Sequence, residues 1–408
     1  MVDLLKNVVS RNMKQYIKLI LVSISCLLGI STPVWGNDNE THEDKGDILY
    51  LHPKETIEPI LSTFKWAVSD INYNKGEQVN FTLLWFSDLH SIWRRLLRIS
   101  TFYKEYEEYI DDVICTGDAF HKYESFDAWG KNGGASFINV VGNHECFGPQ
   151  RNDGTKIIPG WTSPAYSSKE CYEMFYKPFL HETHLVITEN KCYFYKDYSA
   201  FNIRIIGIDG YHWKEKPMYI DKTPIEVYPD GDVVDRGEQQ KWFKKTLAEA
   251  KDKGMHVICL VHQPAKHIPE YRTGFQCLEP FTYNTTAKAF YEWHQDVQDF
   301  IDEGGHFITW FCGHHHDDRF GVIESYPDQL QICIDTAGSK RQQGTRWDRT
   351  GRFDRIENSV NDDLFNIVSV NIFSKRIMLY RIGCNFDKFG RRIESLCYDY
   401  GEKKLIYP

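Results

Sequence analysis

Short apolar stretches recur along this chain, with polar loops and amphipathic segments between them. The stretches are rich in β-branched and aromatic residues, which favour strands. Three segments between them have apolar residues at helical spacing and predict helices within 91–111, 238–254 and 286–305. Strands that alternate with helices favour an α/β fold with right-handed crossovers and largely parallel strands. The stretches are FTLLWFS (81–87), DVICT (112–116), FINVV (137–141), IRIIGI (203–208), HVICLV (256–261), HFITWF (306–311) and QICID (331–335).

Five of these stretches lead directly into side chains that bind metals or transfer protons. In α/β sheets, functional groups collect in the loops after the carboxyl ends of strands. One histidine after a strand is more often a hydrogen-bonded structural residue, but five such exits in succession indicate a metal site. Carboxylates, imidazoles and an amide oxygen suit two divalent or trivalent ions such as Mn, Zn or Fe. These side chains are Asp88, His90, Asp118, Asn143, His144, His262, His314 and His316.

Two Gly-Asp pairs compete for the centre of this site. Asp118 directly follows the predicted strand at 112–116, whereas Asp232 lies in GDVVDRG, after a segment interrupted by proline and acid. GDVVDRG looks like a metal-binding segment of protein serine/threonine phosphatases. Its acids also suit a loop or the cap of the helix that follows. The position at a strand exit favours Asp118.

The ends of the chain and its charge limit the kinds of partner. Residues 13–36 have the lysines, apolar run and small residues of a secretory signal, and we expect translation to start at Met13, which would leave 1–12 outside the protein. A transmembrane anchor, or a lipid on Cys26, would be the alternative, and no second run of spanning length occurs. We expect a polar leader and extension over 37–80, a domain over 81–385 and a tail over 386–408. The net charge of −9 argues against a general nucleic-acid partner.

The order of the candidate motifs resembles that of the calcineurin-like metallophosphoesterase superfamily, which includes the purple acid phosphatases. Asp-Leu-His, Gly-Asp, Gly-Asn-His-Glu, a lone His and Gly-His-His-His occur in the family's order between residues 81 and about 385. GDVVDRG follows GNHE here, whereas it precedes that motif in the serine/threonine phosphatases. The resemblance implies a four-layer αββα sandwich with mixed sheets. Near the carboxyl end, LFNIVSVNIFSKRIMLYRIG alternates around a Ser-Lys turn and predicts an antiparallel hairpin.

The resemblance also assigns roles. It places Asp88, His90 and His316 on one metal ion, Asn143, His262 and His314 on the other, and Asp118 between the two. It implies that a metal-bound hydroxide attacks phosphorus. His144 would take no metal and would donate a proton to the leaving oxygen or stabilise it. Glu145 is a candidate for support of the ligands from behind.

Several positions near the expected site stay open. His121 stands where purple acid phosphatases have a tyrosine ligand, so the purple colour should be absent, and His121 could touch a metal, contact substrate or pack. His315 is expected behind the ligands or facing solvent. Asp209 and His212 follow another predicted strand and are candidates for substrate contact or simple packing. Arg341 and Arg346 lie in a basic loop at 339–355 that could receive an anionic group or be a solvated surface loop.

These observations predict a secreted or periplasmic phosphoesterase that uses two metal ions. A monoesterase on small phosphorylated compounds is the leading version. A diesterase on nucleotides or lipid headgroups would use the same metal core. The alternative from another class is a non-catalytic binding protein that keeps the fold.

Overall fold

The structure is a computed structural model that describes residues 80–90, 93–107, 109–119, 136–146, 168–210, 236–264, 288–314, 316, 318–323, 325–334, 336–338, 364–383 and 395–406. The predicted signal sequence and almost all of the predicted leader lie outside these residues. Of the helices in this described part, none combines the length and the hydrophobicity needed to cross a bilayer.

Strands and helices alternate through most of the described chain. The helices are α1 (Trp93–Tyr106), α2 (Asn143–Cys146), α3 (Ser168–Phe175), α4 (Leu180–Thr183), α5 (Arg236–Asp252) and α6 (Lys288–Asp302), and a 3₁₀ turn at Lys177–Phe179 precedes α4. The strands are β1 (Phe81–Phe86), β2 (Asp112–Cys115), β3 (Ile138–Asn139), β4 (Val186–Ile187), β5 (Phe194–Tyr198), β6 (Ile203–Gly207), β7 (His256–Leu260), β8 (His306–Cys312), β9 (Arg319–Ile323), β10 (Tyr326–Cys333), β11 (Leu364–Asn371), β12 (Arg376–Gly383), β13 (Ser395–Asp399) and β14 (Lys404–Ile406). Each of the seven apolar stretches contains a strand, and each of the three predicted helices is present.

The strands form two mixed sheets of seven strands each. Sheet A has the order β14-β13-β12-β11-β1-β2-β3, and sheet B has the order β4-β5-β6-β7-β8-β10-β9. In sheet A the strands β1, β2 and β3 are parallel, and in sheet B so are β6, β7, β8 and β10. The remaining pairings are antiparallel. The expectation of largely parallel strands therefore holds for the middle of sheet B and for one half of sheet A.

The two sheets pack face to face, and helices cover their outer faces. Trp85 of β1 packs against Phe311 of β8 with ring centroids 4.2 Å apart, which places these side chains between the sheets. On the outer side of sheet A, Phe102 of α1 meets Phe365 of β11 at 5.0 Å. The outer face of sheet B packs on α5 and α6 through a second apolar cluster that includes Phe243. The predicted four-layer αββα sandwich is confirmed.

The position of β7 between two apolar clusters explains why its stretch is apolar throughout. Successive side chains of a strand point to opposite faces. Ile258 and Leu260 lie in the core between the sheets, and Val257 and Cys259 lie in the cluster under α5 and α6. Because both faces of the strand are covered, every side chain is buried, and the alternation of polar and apolar residues is lost.

The C-terminal strands form the predicted hairpin and extend sheet A further. In the turn between β11 and β12, the side chain of Asn371 accepts hydrogen bonds from the backbone of Phe373 and Ser374 at 3.0 and 2.9 Å. Lys375 completes the turn with a φ of 53°. Strand β13 then pairs with β12, and β14 pairs with β13, within a region that the sequence analysis treats only as a tail.

Contact between the sheets generates the first prediction. Phe311→Ala should lower the free energy of unfolding by about 3–5 kcal/mol, because it leaves a cavity against Trp85 in a fully buried site. Urea unfolding measures the change. The control is Phe373→Ala, which removes a ring that is 63% exposed and should change stability by less than about 0.5 kcal/mol. Equal effects of the two substitutions would contradict the packing described.

Candidate metal centre

The loops after β1 and β2 are joined by backbone hydrogen bonds. Asp88 N donates to Gly117 O at 2.9 Å, and His90 N donates to Asp118 O at 2.9 Å. Parallel pairing of β1 with β2 brings their carboxyl ends to the same edge of sheet A. Asp88 and Asp118 are therefore neighbours, although 29 residues separate them along the chain.

The loops after β7 and β8 bring the second sheet to the same place. Gly313 N donates to His262 O at 2.9 Å, which joins these two loops to each other. His314 N donates to Asp88 Oδ2 at 2.9 Å, which joins them to sheet A. The strand exits of both sheets thus converge on one edge of the sandwich.

The residues at this edge form three overlapping clusters of potential metal ligands. Within each cluster the ligand atoms lie within 4.8 Å of one another. Asp118 belongs to a cluster with His90 on one side and to a cluster with His262 on the other, so it lies between the two. The clusters are Asp88, His90 and His316; His90, Asp118 and His144; and Asp118, His262 and His314.

Five of these residues have a left-handed backbone conformation. Residues other than glycine rarely adopt a positive φ. Each residue that does so costs on the order of 1–3 kcal/mol of folding free energy. The surrounding hydrogen bonds must therefore hold the loops in place. The residues and their φ values are Asp88 (52°), His90 (54°), Asp118 (55°), His314 (71°) and His316 (53°).

Asp88 has one carboxylate oxygen that accepts hydrogen bonds from the protein and one that accepts none. Oδ2 accepts hydrogen bonds from Ser87 Oγ at 2.6 Å and from the backbone of His314. Oδ1 is buried and accepts no hydrogen bond, and His316 Nε2 lies 3.1 Å away. Burial alone would raise the pKa of Asp88, but the imidazoles of His316 and His262 lower it well below its usual range. A buried, ionised oxygen of this kind fits a metal ion.

His262 is oriented by its second ring nitrogen. Nδ1 lies 2.7 Å from Thr116 O, and since a carbonyl only accepts, Nδ1 is the donor. Nε2 then faces Asp118 Oδ2 at 3.1 Å. Burial alone would lower the pKa of His262, but the carboxylates of Asp118 and Asp88 help to raise it to about 10. The two carboxylates therefore stabilise positive charge beside Nε2. A metal ion bound to Nε2 would be stabilised in the same way.

His90 and His316 point their Nε2 atoms toward each other at 2.9 Å. Burial lowers the pKa of His90 to about 3, which keeps this imidazole neutral above that pH. Nitrogen atoms of two imidazoles and the bare oxygen of Asp88 thus converge, and this donor set fits Mn, Zn or Fe.

His144 is one of the partly exposed histidines of the clusters, with an exposure close to the 35% of the His316 side chain. Its ring packs edge-on against His90 with centroids 4.7 Å apart, and its Nε2 lies 3.8 Å from Asp118 Oδ2. Its side chain is 33% exposed, whereas that of His262 is fully buried. His144 can therefore reach both the cluster and a molecule approaching from solvent.

Glu145 holds the loops after β2 and β3 through hydrogen bonds to their backbone. Its Oε2 accepts hydrogen bonds from Asp118 N and from Gly142 N, each at 2.8 Å. Asp118 Oδ1 in turn accepts one from His144 N at 2.7 Å. A methyl group on Gly142 would collide with Asp118, so both loops depend on a close approach of the backbone.

Other candidate residues lie away from the clusters or outside the described part. Asp209 is buried and accepts a hydrogen bond from Ser168 Oγ at 3.2 Å, while Gln239 bonds both its N and its O. Asp209 belongs to none of the clusters found among the described residues. The backbone of Asn143 begins α2, but its side chain is outside what the structure describes. The same holds for the whole of His121, His212, His315, Arg341 and Arg346, and for Asp232.

One supporting segment was missed by the sequence analysis. Residues 336–338 follow β10, and Thr336 Oγ1 and Gly338 N both donate to Asp88 O, at 2.5 and 3.0 Å. Ala337 N also donates to Ser87 O at 2.8 Å, and Ala337 O accepts from the buried Arg95. The segment has no metal-binding side chain among these residues, so only its place after a predicted strand could have indicated a role.

A comparison with family models identifies one family for this chain. The calcineurin-like phosphoesterase family matches residues 81–318. Among solved structures, a dimetal phosphatase from Danio rerio is 13% identical with a TM-score of 0.43, covering 78% of this chain and 99% of its own. A predicted phosphoesterase from Streptococcus pneumoniae is 9% identical with a TM-score of 0.30, covering 78% and 98%. Because both TM-scores lie below 0.5, neither likeness bears on the chemistry of this chain. No curated protein matches the sequence.

The contact between Gly117 and His262 generates the second prediction. Gly117→Ala should reduce the amount of Mn²⁺ that the protein retains, because the added methyl group would collide with the His262 ring. Elemental analysis after gel filtration measures the metal content. Gly254→Ala is the matched control, since Gly254 also has a positive φ of 65° but has open space at the same position. If both variants retained as much metal as the unaltered chain, the collision would not displace a ligand.

Proposed function

Because the chain belongs to the calcineurin-like phosphoesterase family, we propose that it hydrolyses phosphate esters at a centre of two metal ions. The observation that carries the proposal is that Asp118 belongs to two groups of potential ligand atoms, as a carboxylate between two adjacent cations would. The bare Oδ1 of Asp88 supports it, since this buried oxygen has no hydrogen-bond donor.

Each side chain has a role in this proposal. Asp88, His90 and His316 would hold one metal ion. His262 and His314 would hold the other, with Asn143 as the family pattern implies, and Asp118 would contact both. When bound, the pair of cations would lower the pKa of a water molecule and offset charge on the phosphate oxygens.

His144 would act on the substrate rather than on a metal. Its ring is partly exposed beside the clusters, and the backbone contact from His144 N to Asp118 fixes the start of its side chain. From there its Nε2 could donate a proton to the oxygen of the leaving group. The buried imidazole of His262 faces Asp118 and not solvent, so His144 is the better placed of the two for this task.

We propose that the substrate is a monoester of a small phosphorylated compound. We also propose that the protein acts in a setting outside the cytoplasm. The setting rests on the signal-like pattern at 13–36 alone. A diesterase on nucleotides or lipid headgroups would use the same ligands, and a non-catalytic binding protein would keep them without turnover.

The third prediction separates proton donation from metal binding. His144→Ala should lower kcat for an aryl phosphate by about 10²–10⁴-fold, since a positioned proton donor contributes about that much, while metal content stays close to that of the unaltered chain. Asp118→Asn should instead lose metal, because a neutral amide replaces the carboxylate that belongs to two of the clusters. His181→Ala is the control, since this histidine side chain is 73% exposed on α4 and should leave both quantities unchanged. Unchanged turnover in His144→Ala would remove His144 from the mechanism.

The fourth prediction concerns the substrate class. With Mn²⁺ bound, the protein should release nitrophenol faster from p-nitrophenyl phosphate than from bis(p-nitrophenyl) phosphate, because we propose a monoesterase. Initial rates at matched concentrations give the ratio. A faster rate on the diester would favour the diesterase, and a metal-loaded protein with no turnover of either ester would favour the binding protein.

A further inference from the structure

A buried arginine lies on the face of sheet A that meets sheet B. Arg381 of β12 stands directly opposite Asn366 of β11, and Asn366 stands opposite Trp85 of β1. Directly paired residues of adjacent strands point to the same face, so all three share the face on which Trp85 meets Phe311. Trp85 is three residues before Asp88, so Arg381 lies at the end of the sheet that carries the candidate metal centre.

The guanidinium of Arg381 connects the two sheets. Its Nε donates to Asn366 Oδ1 at 2.9 Å, and its Nη2 donates to Asp318 Oδ1. The arginine side chain is fully buried and that of Asp318 is 5% exposed. Asp318 lies two residues after His316 and directly before β9. A charged hydrogen bond therefore runs from sheet A to the loop of sheet B that carries His314 and His316.

That loop needs to be held with some precision. His314 and His316 both have positive φ values, of 71° and 53°. The loop meets Asp88 at two points, through His314 N to Oδ2 at 2.9 Å and through His316 Nε2 near Oδ1 at 3.1 Å. Since His316 is on sheet B and Asp88 on sheet A, their separation depends on how the loop is fixed across the interface.

The nature of the pair argues for a positional role. Removing two charges from water is costly, and apolar residues of similar size often give equal or greater stability in such places. The planar guanidinium, with its fixed donors, instead sets direction as well as distance. An apolar contact would fill the same space without fixing the direction in which the loop leaves the interface.

We propose that Arg381 is a positioning residue which, through Asp318, holds His316 against Asp88 and so sets the affinity of the metal site formed by Asp88, His90 and His316. The inference rests on the proposed two-metal centre. It adds a residue from the C-terminal hairpin, beyond the part of the chain that the family match covers.

The fifth prediction uses the double variant Arg381→Met with Asp318→Leu. Replacing both charges avoids leaving one of them buried alone. Calorimetric titration with Mn²⁺ should show one of two sites weakened by about 10–100-fold, the usual effect of losing support behind a ligand. The other site should stay within about threefold of the unaltered chain. Arg381→Lys keeps the charge but loses the fork, so it should weaken the same site less, and it carries the test if the double variant fails to fold.

The control is a second arginine–aspartate pair at the opposite end of sheet B, in which the Arg204 side chain is fully buried and that of Asp197 is 21% exposed. Arg204 Nε and Nη2 donate to Asp197 Oδ1 and Oδ2 at 2.6 and 2.8 Å, near the start of β6. Arg204→Met with Asp197→Leu should leave both Mn²⁺ affinities unchanged, whatever its melting temperature.

The outcomes separate the two proposals. Unchanged Mn²⁺ affinities in both Arg381 variants, or equal losses in the Arg204 control, would overturn the role of Arg381. An unaltered chain that binds two Mn²⁺ ions but cleaves no ester would overturn the proposed function, while the affinity comparison would still decide the role of Arg381. An unaltered chain that binds no metal would overturn both.

Discussion

The closeness of two buried carboxylates is the constraint on which the rest of the site depends. Asp88 and Asp118 are almost fully buried, and the charge of Asp118 disfavours the ionised form of Asp88. Such a pair persists only where positive charge and hydrogen-bond donors surround it. The backbone N–H groups of His144 and His314 and the imidazoles of His262 and His316 supply part of this compensation. A metal centre would supply the remainder, which is why the acids and the histidines have to be understood together.

Holding these groups requires a framework that does not yield. Two seven-stranded sheets packed face to face bring their strand exits to one edge, and hydrogen bonds between loops tie the exits together. Several ligand residues have a backbone conformation that a free chain would avoid. The rigid sandwich therefore holds these residues in their strained backbone conformation and so fixes the arrangement of the loops. Residues without chemistry of their own, such as Gly142 and Glu145, belong to this framework.

The sequence predicts the parts of this arrangement that repeat a local pattern. Each apolar stretch predicts a strand, and each ligand candidate follows one. The strands could therefore be predicted, and so could the meeting of Asp88, Asp118 and His262 at one edge. Arg381 and the segment 336–338 could not, because their contacts join residues 63 and 248 positions apart and their side chains match no spacing rule. The hydrogen bonds of Asp209 with Ser168 and Gln239 were likewise not indicated by its place after a predicted strand. Proximity to a strand exit indicates the edge of the sheet, but it does not indicate which way a side chain turns there.

The strands at the borders of the two sheets have a consequence for how copies of the chain meet. Three of the four border strands in the described structure are very short: β3 and β4 have two residues each, and β14 has three. Lys403 directly precedes β14 and Lys404 begins it, and charged side chains at a border hinder pairing with another strand. A border of this kind offers few unpaired N–H and C=O groups in a row. Among the described residues, these three borders therefore give another strand little backbone on which to pair.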